Sequence, residues 1–140
     1  MRTYDFIKDQ GLEPRSKQKT VASVFIDPDG TVYSYGYHYP LAFKVNGLRF
    51  RNTAGYSSTT AKHISHAGSI TDHDVELQYN TIRGQVSYDD VIKSLKAMYS
   101  TAVETEKATK RKDTKKNQCQ VEEINKIYNT IMALNETLTV

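Results

Sequence analysis

Cysteine is nearly absent from this chain, with Cys119 the only one. A single thiol excludes an internal disulfide and any zinc site built on a cysteine pair, and it fits a reducing cytoplasm. Long apolar runs are missing as well. No stretch approaches the roughly eighteen residues that mark a membrane-spanning helix, and the opening segment MRTYDFIKDQGLEPR has no apolar region of the kind a secretory signal carries. An excess of one charge is also lacking. The formal net charge is +3, too small to argue nucleic-acid binding from bulk charge and of the wrong sign for a DNA mimic. No internal repeat and no low-complexity tract is visible.

What is present suits a soluble globular chain. Of the 140 residues, 38% are hydrophobic and 25% charged, which fits one domain with a modest core. Residues 3–9 have the makings of one or two helical turns anchored by Tyr4, Phe6 and Ile7, stopped by Gly11 and Pro14; the basic run 15–19 reads as a solvated connector. The β-branched run 20–26 predicts a strand. Asp27-Pro28-Asp29-Gly30 is a turn in which proline presets φ and glycine accepts φ > 0. Its spacing does not fit a calcium loop. Residues 31–39 read as the partner strand, with Tyr33, Tyr35, Tyr37 and Tyr39 on one face; pairing of Thr31 with Ile26 would set Tyr33 beside Val24 on the core side. Pro40 ends or edges that strand.

Asn46-Gly47 is the strongest hairpin signal, because a type I′ turn needs φ > 0 twice. It sets Val45 opposite Leu48, Lys44 opposite Arg49 and Phe43 opposite Phe50. One face is then apolar and buried, and the other carries Lys44, Arg49 and Arg51 in the open. Ser57 or Ser58 can cap a short helix running to Ala67 and closed by Gly68, with Ala61, Ile64 and Ala67 facing the core. Alternation over 74–79 predicts a further strand. Ser87 and Asp90 form a near capping box ahead of a helix with Val91, Ile92, Leu95, Tyr99, Ala102 and Val103 at helical spacing. A basic stretch follows at 107–118, then a second stripe of Val121, Ile124, Tyr128, Ile131, Leu134 or Asn135, and Leu138. The expected fold is α+β: an antiparallel sheet of four or five strands with a short helix and a C-terminal helical hairpin. The chain is read as a single domain over 1–140, mainly β over 1–85 and a helical hairpin over 86–140.

Four groups of residues invite chemistry. Tyr35 and Tyr37, with their neighbours in the tyrosine row, can stack on a partner or line the core. Lys44, Arg49 and Arg51 repel one another across a short hairpin, which points to an acidic partner or to solvated charges guarding an edge. Lys62, His63 and His66 on the short helix can hold an anion, or, with Tyr56, run metal-free phosphodiester chemistry; the bland alternative is a capped helix with a solvated face. No histidine–carboxylate spacing specifies a metal, and the hydroxyl-rich helix start is not a Walker loop, so neither a metal nor a cofactor is expected. The basic stretch 107–118 can touch phosphates or serve as a solvated turn.

The segments YSYGYHYPLA at 33–42, Asn52, and YSSTTAKH at 56–63 resemble the core of a family of short bacteriophage-encoded proteins without an established activity. The resemblance covers about a third of the chain, leaves out the helical pair, and assigns no residue a role. It implies an accessory protein made in the cytoplasm of an infected bacterium, of a kind that binds and blocks host components, defence systems included. The expectation is therefore a non-enzymatic protein that binds a host protein or protein–nucleic-acid complex, without a membrane role and with oligomer formation through the helical hairpin open. The alternatives are a nucleic-acid-binding protein using Lys44, Arg49, Arg51 and the basic stretch, and a small metal-independent nuclease.

Overall fold

The computed structural model describes residues 2–34, 39–54, 58–77 and 86–136. Helix α1 (Thr3–Gln10) buries Phe6 and Ile7 completely, while Tyr4 stays on its outer side. The expected strand over 20–26 is in fact a hairpin. Strands β1 (Lys19–Val21) and β2 (Val24–Ile26) pair antiparallel, with Val21 opposite Val24 across Ala22-Ser23 and Ala22 at φ 55°. An alanine at positive φ leaves no turn signature, so two β-branched runs merge into one on reading.

Gly30 closes the next turn at φ 94°. Thr31 belongs to that turn: its carbonyl accepts from the Asp27 N–H at 3.0 Å, and its own N–H donates to Asp29 Oδ1 at 3.0 Å. Strand β3 (Val32–Ser34) therefore pairs one residue away from the expected register, with Val32 opposite Ile26 and Tyr33 opposite Phe25. Tyr33 is buried and stacks on Phe25 at 4.9 Å between ring centroids. The Ser34 N–H donates to the Tyr39 carbonyl at 3.1 Å, and of the expected strand over 31–39 the described strand covers Val32–Ser34. Strand β4 (Pro40–Val45) begins at Pro40, a strand position where the missing N–H is tolerated.

The hairpin to β5 (Leu48–Asn52) has the expected register, Val45 with Leu48, Lys44 with Arg49 and Phe43 with Phe50, turning through Asn46 at φ 52° and Gly47 at φ 85°. Helix α2 (Ser58–Ala67) then crosses to β6 (His73–Val75), which lies parallel to β5. The expected strand over 74–79 is thus shorter, and Tyr79 lies outside the described residues, as do Tyr35, Tyr37, His38, Tyr56, Ser57 and Leu138. The sheet order is β1-β2-β3-β4-β5-β6. The α+β class stands, with two corrections: six strands among the described residues rather than four or five, and one parallel pair. Both follow from segment length. Four of the strands are three residues long, too short for alternation to show, and a helical crossover returns the chain parallel.

Helices α3 (Tyr88–Ala108) and α4 (Lys115–Glu136) form the C-terminal pair. The Ser87–Asp90 capping box is complete, each side chain bonding the other residue's backbone N–H. The sheet carries a core on each side. Phe6 and Ile7 of α1 and Ala67 of α2 pack with Val24, Ile26, Val32 and Ala42. Phe43, Val45, Phe50 and Val75 pack with Val91 and Leu95 of α3 and Leu134 of α4. The alternation of β4 divides Ala42 from Phe43 and Val45 between the two.

The α4 stripe matches the expected one at Ile131 and Leu134, which pack on the core, and departs from it elsewhere. Asn117, Ile127, Thr130 and Leu134 face inward, whereas Val121 and Tyr128 are exposed. Polar residues at inward positions obscure the period, because a search for apolar repeats passes over Asn117 and Thr130. In α2, Ala61 is exposed and His63 is buried in its stead.

Candidate functional site: the helical hairpin

The open cationic trio expected on the β4–β5 hairpin is largely neutralised. Arg51 makes a bidentate pair with Asp74 of β6, Nε to Oδ1 at 2.9 Å and Nη2 to Oδ2 at 3.0 Å, and donates from Nη1 to the Ile64 carbonyl of α2 at 3.1 Å. Burial by itself pushes the Asp74 carboxyl up, but the Arg51 hydrogen bonds and charge, with Lys126 behind them, hold it below the usual carboxylate range. Arg51 thus clamps β5 to β6 and α2. Arg49 reaches Glu13 at 4.0 Å. Of the three, Lys44 alone is exposed without a carboxylate partner among the described residues. Asp74 was the missing partner; its parallel pairing with Arg51 is a contact that sequence spacing does not reveal.

Lys62, His63 and His66 are neighbours on α2 but do not converge. Lys62 points to solvent. The His66 ring lies edge-on to Tyr4 at 5.3 Å. His63 is buried, with Nδ1 2.8 Å from Ser34 Oγ, itself fully buried. Burial first, and then the neighbouring His66, pushes the His63 pKa down, which keeps the ring neutral at pH 7. The hydrogen bond ties α2 to β3 and joins the two segments that carry the phage-family resemblance.

Other residues of those segments also have structural roles. The Tyr39 hydroxyl donates to the Ala54 carbonyl at 2.5 Å, and burial, then Glu76, pushes its pKa up to about 12. Asn52 Oδ1 accepts from the Ala54 N–H at 3.0 Å and the Leu77 N–H at 3.3 Å, satisfying backbone where β5 and β6 end. Among the described residues, no three His, Cys, Asp or Glu side chains are grouped as a metal would require.

Among the described residues, three of the four exposed large apolar side chains lie on the helical hairpin. At 1.5 Å per residue, α3 and α4 are each about 30 Å long, yet α3 buries only Val91, Ser94 and Leu95, all in its first half. On the outer side of α4, Val121 is 42% exposed, Tyr128 49% and Met132 41%. They are spaced seven and four residues apart, the interval that aligns side chains on one helix face. The Tyr99 ring of α3 stands 6.3 Å from that of Tyr128, extending the strip across the pair. Nearer the tip, Cys119 is exposed beside a cavity of about 500 Å³ lined by Ala102, Thr105, Lys116, Gln120 and Glu123.

The tip itself is held by a polar network. Glu106 accepts from Lys112 Nζ at 2.9 Å and from Asn117 Nδ2 at 3.0 Å. These bonds, Asn117 first, hold the Glu106 carboxyl below its usual range. The Thr109 hydroxyl is 3.0 Å from both the Thr105 carbonyl oxygen and Gln120 Oε1, and Thr114 Oγ1 accepts from the Asn117 N–H at 3.1 Å to cap α4. Among the described residues, no helix is long and apolar enough to cross a membrane. No family model matches the chain, and neither does any curated protein or solved structure.

Proposed function

We propose that the chain is a non-enzymatic accessory protein of bacteriophage type that binds and modulates a host macromolecule in the cytoplasm of an infected bacterium, with the outer face of the α3–α4 hairpin as its binding surface. A counter-defence inhibitor is the form of this role that the family resemblance favours. The observation that carries the reading is the aligned, exposed strip of Val121, Tyr128 and Met132. Isolated apolar side chains on a surface need no explanation, but three on one helix face, extended by Tyr99, resemble the aromatic and methionine-rich centre of a protein interface. The side chains first suspected of catalysis lend less support to an enzyme: His63 is occupied with Ser34, and Lys62 points elsewhere.

The double variant Val121→Glu/Tyr128→Glu tests the reading. Both positions are exposed, so the fold should survive, as checked by circular dichroism. Wild type used as bait in bacterial lysate should retain a discrete macromolecule, and the variant should retain about tenfold less or lower, the scale of losing a central interface residue. Equal retention would contradict the proposal. A wild-type dimer that becomes monomeric in the variant, with no host partner retained, would assign the strip to a second copy of the chain.

A further inference from the structure

We infer that the tip of the helical hairpin is a contact for the phosphate backbone of nucleic acid. The inference rests on the hairpin being the working element, and it adds a second, chemically distinct surface to it. Between residues 107 and 118 stand Lys107, Lys110, Arg111, Lys112, Lys115 and Lys116, with Asp113 the only acid. Two of these cations are accounted for by pairing: Lys107 lies 4.0 Å from Glu104, and Lys112 is bound to the Glu106 carboxylate. Lys110, Arg111, Lys115 and Lys116 have no carboxylate partner among the described residues. The Glu106–Asn117–Gln120–Thr109 network fixes the loop that presents them, so the four charges are held together rather than left to disperse. Lys115 and Lys116 also occupy the first turn of α4, which holds no acidic residue. Positive charge there adds to the positive end of the helix instead of offsetting it.

Lys110, Arg111 and Lys116, with Thr109, Thr114 and Gln120, line a recess of about 580 Å³. Guanidinium, ammonium and hydroxyl groups around a recess are donors suited to phosphate oxygens. The composition of the tip separates nucleic acid from other polyanions. The exposed large apolar residues of the described chain are Tyr4, Val121, Tyr128 and Met132, none of them in the tip. A membrane surface would call for apolar side chains to enter the lipid, and a protein partner for an apolar centre. A polar, strongly positive surface is the signature of a protein–nucleic-acid interface. Tyr128 and Met132 of the strip lie away from the tip, since Lys115 and Tyr128 are thirteen residues apart on one helix, about 20 Å.

The test is fluorescence anisotropy of the whole protein with labelled twenty-base-pair DNA and RNA duplexes of one sequence, from 25 to 200 mM salt. If all four cations replace counterions, log K on DNA should fall with log salt at a slope of about −3.6. Lys110→Glu/Arg111→Glu and Lys115→Glu/Lys116→Glu should each weaken binding at least tenfold and make the slope shallower by about two units. Lys8→Glu/Lys19→Glu, away from the tip, should bind nucleic acid as wild type does. The two duplex arms show whether DNA or RNA is preferred. No binding at 25 mM salt, tip variants that bind unchanged, or equal affinity for anionic phospholipid vesicles would overturn the inference. Loss of host-partner capture in the strip variant alone would leave the proposed function standing while this inference fails.

Discussion

Leu95→Ala should lower the unfolding free energy by about 2–5 kcal/mol. Leu95 is fully buried where the helical pair meets the sheet, in one cluster with Val91, Leu134, Phe43, Val45 and Phe50. Truncation removes its methyl groups from that contact and leaves a cavity that sheet and helices on opposing sides cannot both collapse to fill. Urea denaturation of wild type and variant measures the loss. Met132→Ala on the exposed side of α4 serves as the contrast and should change stability by about 0.5 kcal/mol or less. If Leu95→Ala were equally mild, the hairpin would not be docked through this residue, and the division between a sealed and an open hairpin face would be wrong.

Phe50→Ala should cost about 3–5 kcal/mol. Phe50 is fully buried in β5, the strand that joins the antiparallel sheet to the parallel β6. Its ring faces Phe43 at 5.9 Å, nearly parallel at 13°, and His73 of β6 at 5.3 Å. The loss falls on both neighbours. β6 is only three residues long, so its amides should also exchange faster with solvent in the variant. Denaturation and amide exchange followed together check both parts; a loss under about 1 kcal/mol with unchanged exchange at β6 would show that the aromatic stack does not hold the strand.

The parts of the fold legible in the sequence are those with a strong local signal. Asn46-Gly47 fixed the central register, because few residues accept two positive φ angles, and Ser87 with Asp90 marked the start of α3. What escaped reading was set by contacts between segments distant in the chain. Ala22 at positive φ has no local marker. The parallel pairing of β6 follows from the path of α2 rather than from its own residues. The candidate site divides the same way. Lys44, Arg49 and Arg51 do share a face, as alternation requires, but alternation is silent on Asp74, twenty-three residues on from Arg51, and so on which of the cations is neutralised. His63 was legible as a residue of interest but not as a buried one, since its partner Ser34 is twenty-nine residues away. On α4, Ile131 and Leu134 were legible as core residues, but Asn117 and Thr130 occupy inward positions as polar residues, so an apolar search takes Val121 and Tyr128 in their place.

The claim that the hairpin is the working element is tested most directly from Cys119, the lone thiol, exposed on α4 between the cationic tip and the apolar strip. A photo-crosslinker attached there samples both surfaces without altering either. The control carries the same crosslinker on α1, as Asp9→Cys in a Cys119→Ser background, at an exposed position on a different part of the molecule. After irradiation in bacterial lysate, the Cys119 label should yield a discrete covalent adduct with a host macromolecule that the α1 label does not give. Identical adducts from both labels, or adducts from α1 alone, would contradict it.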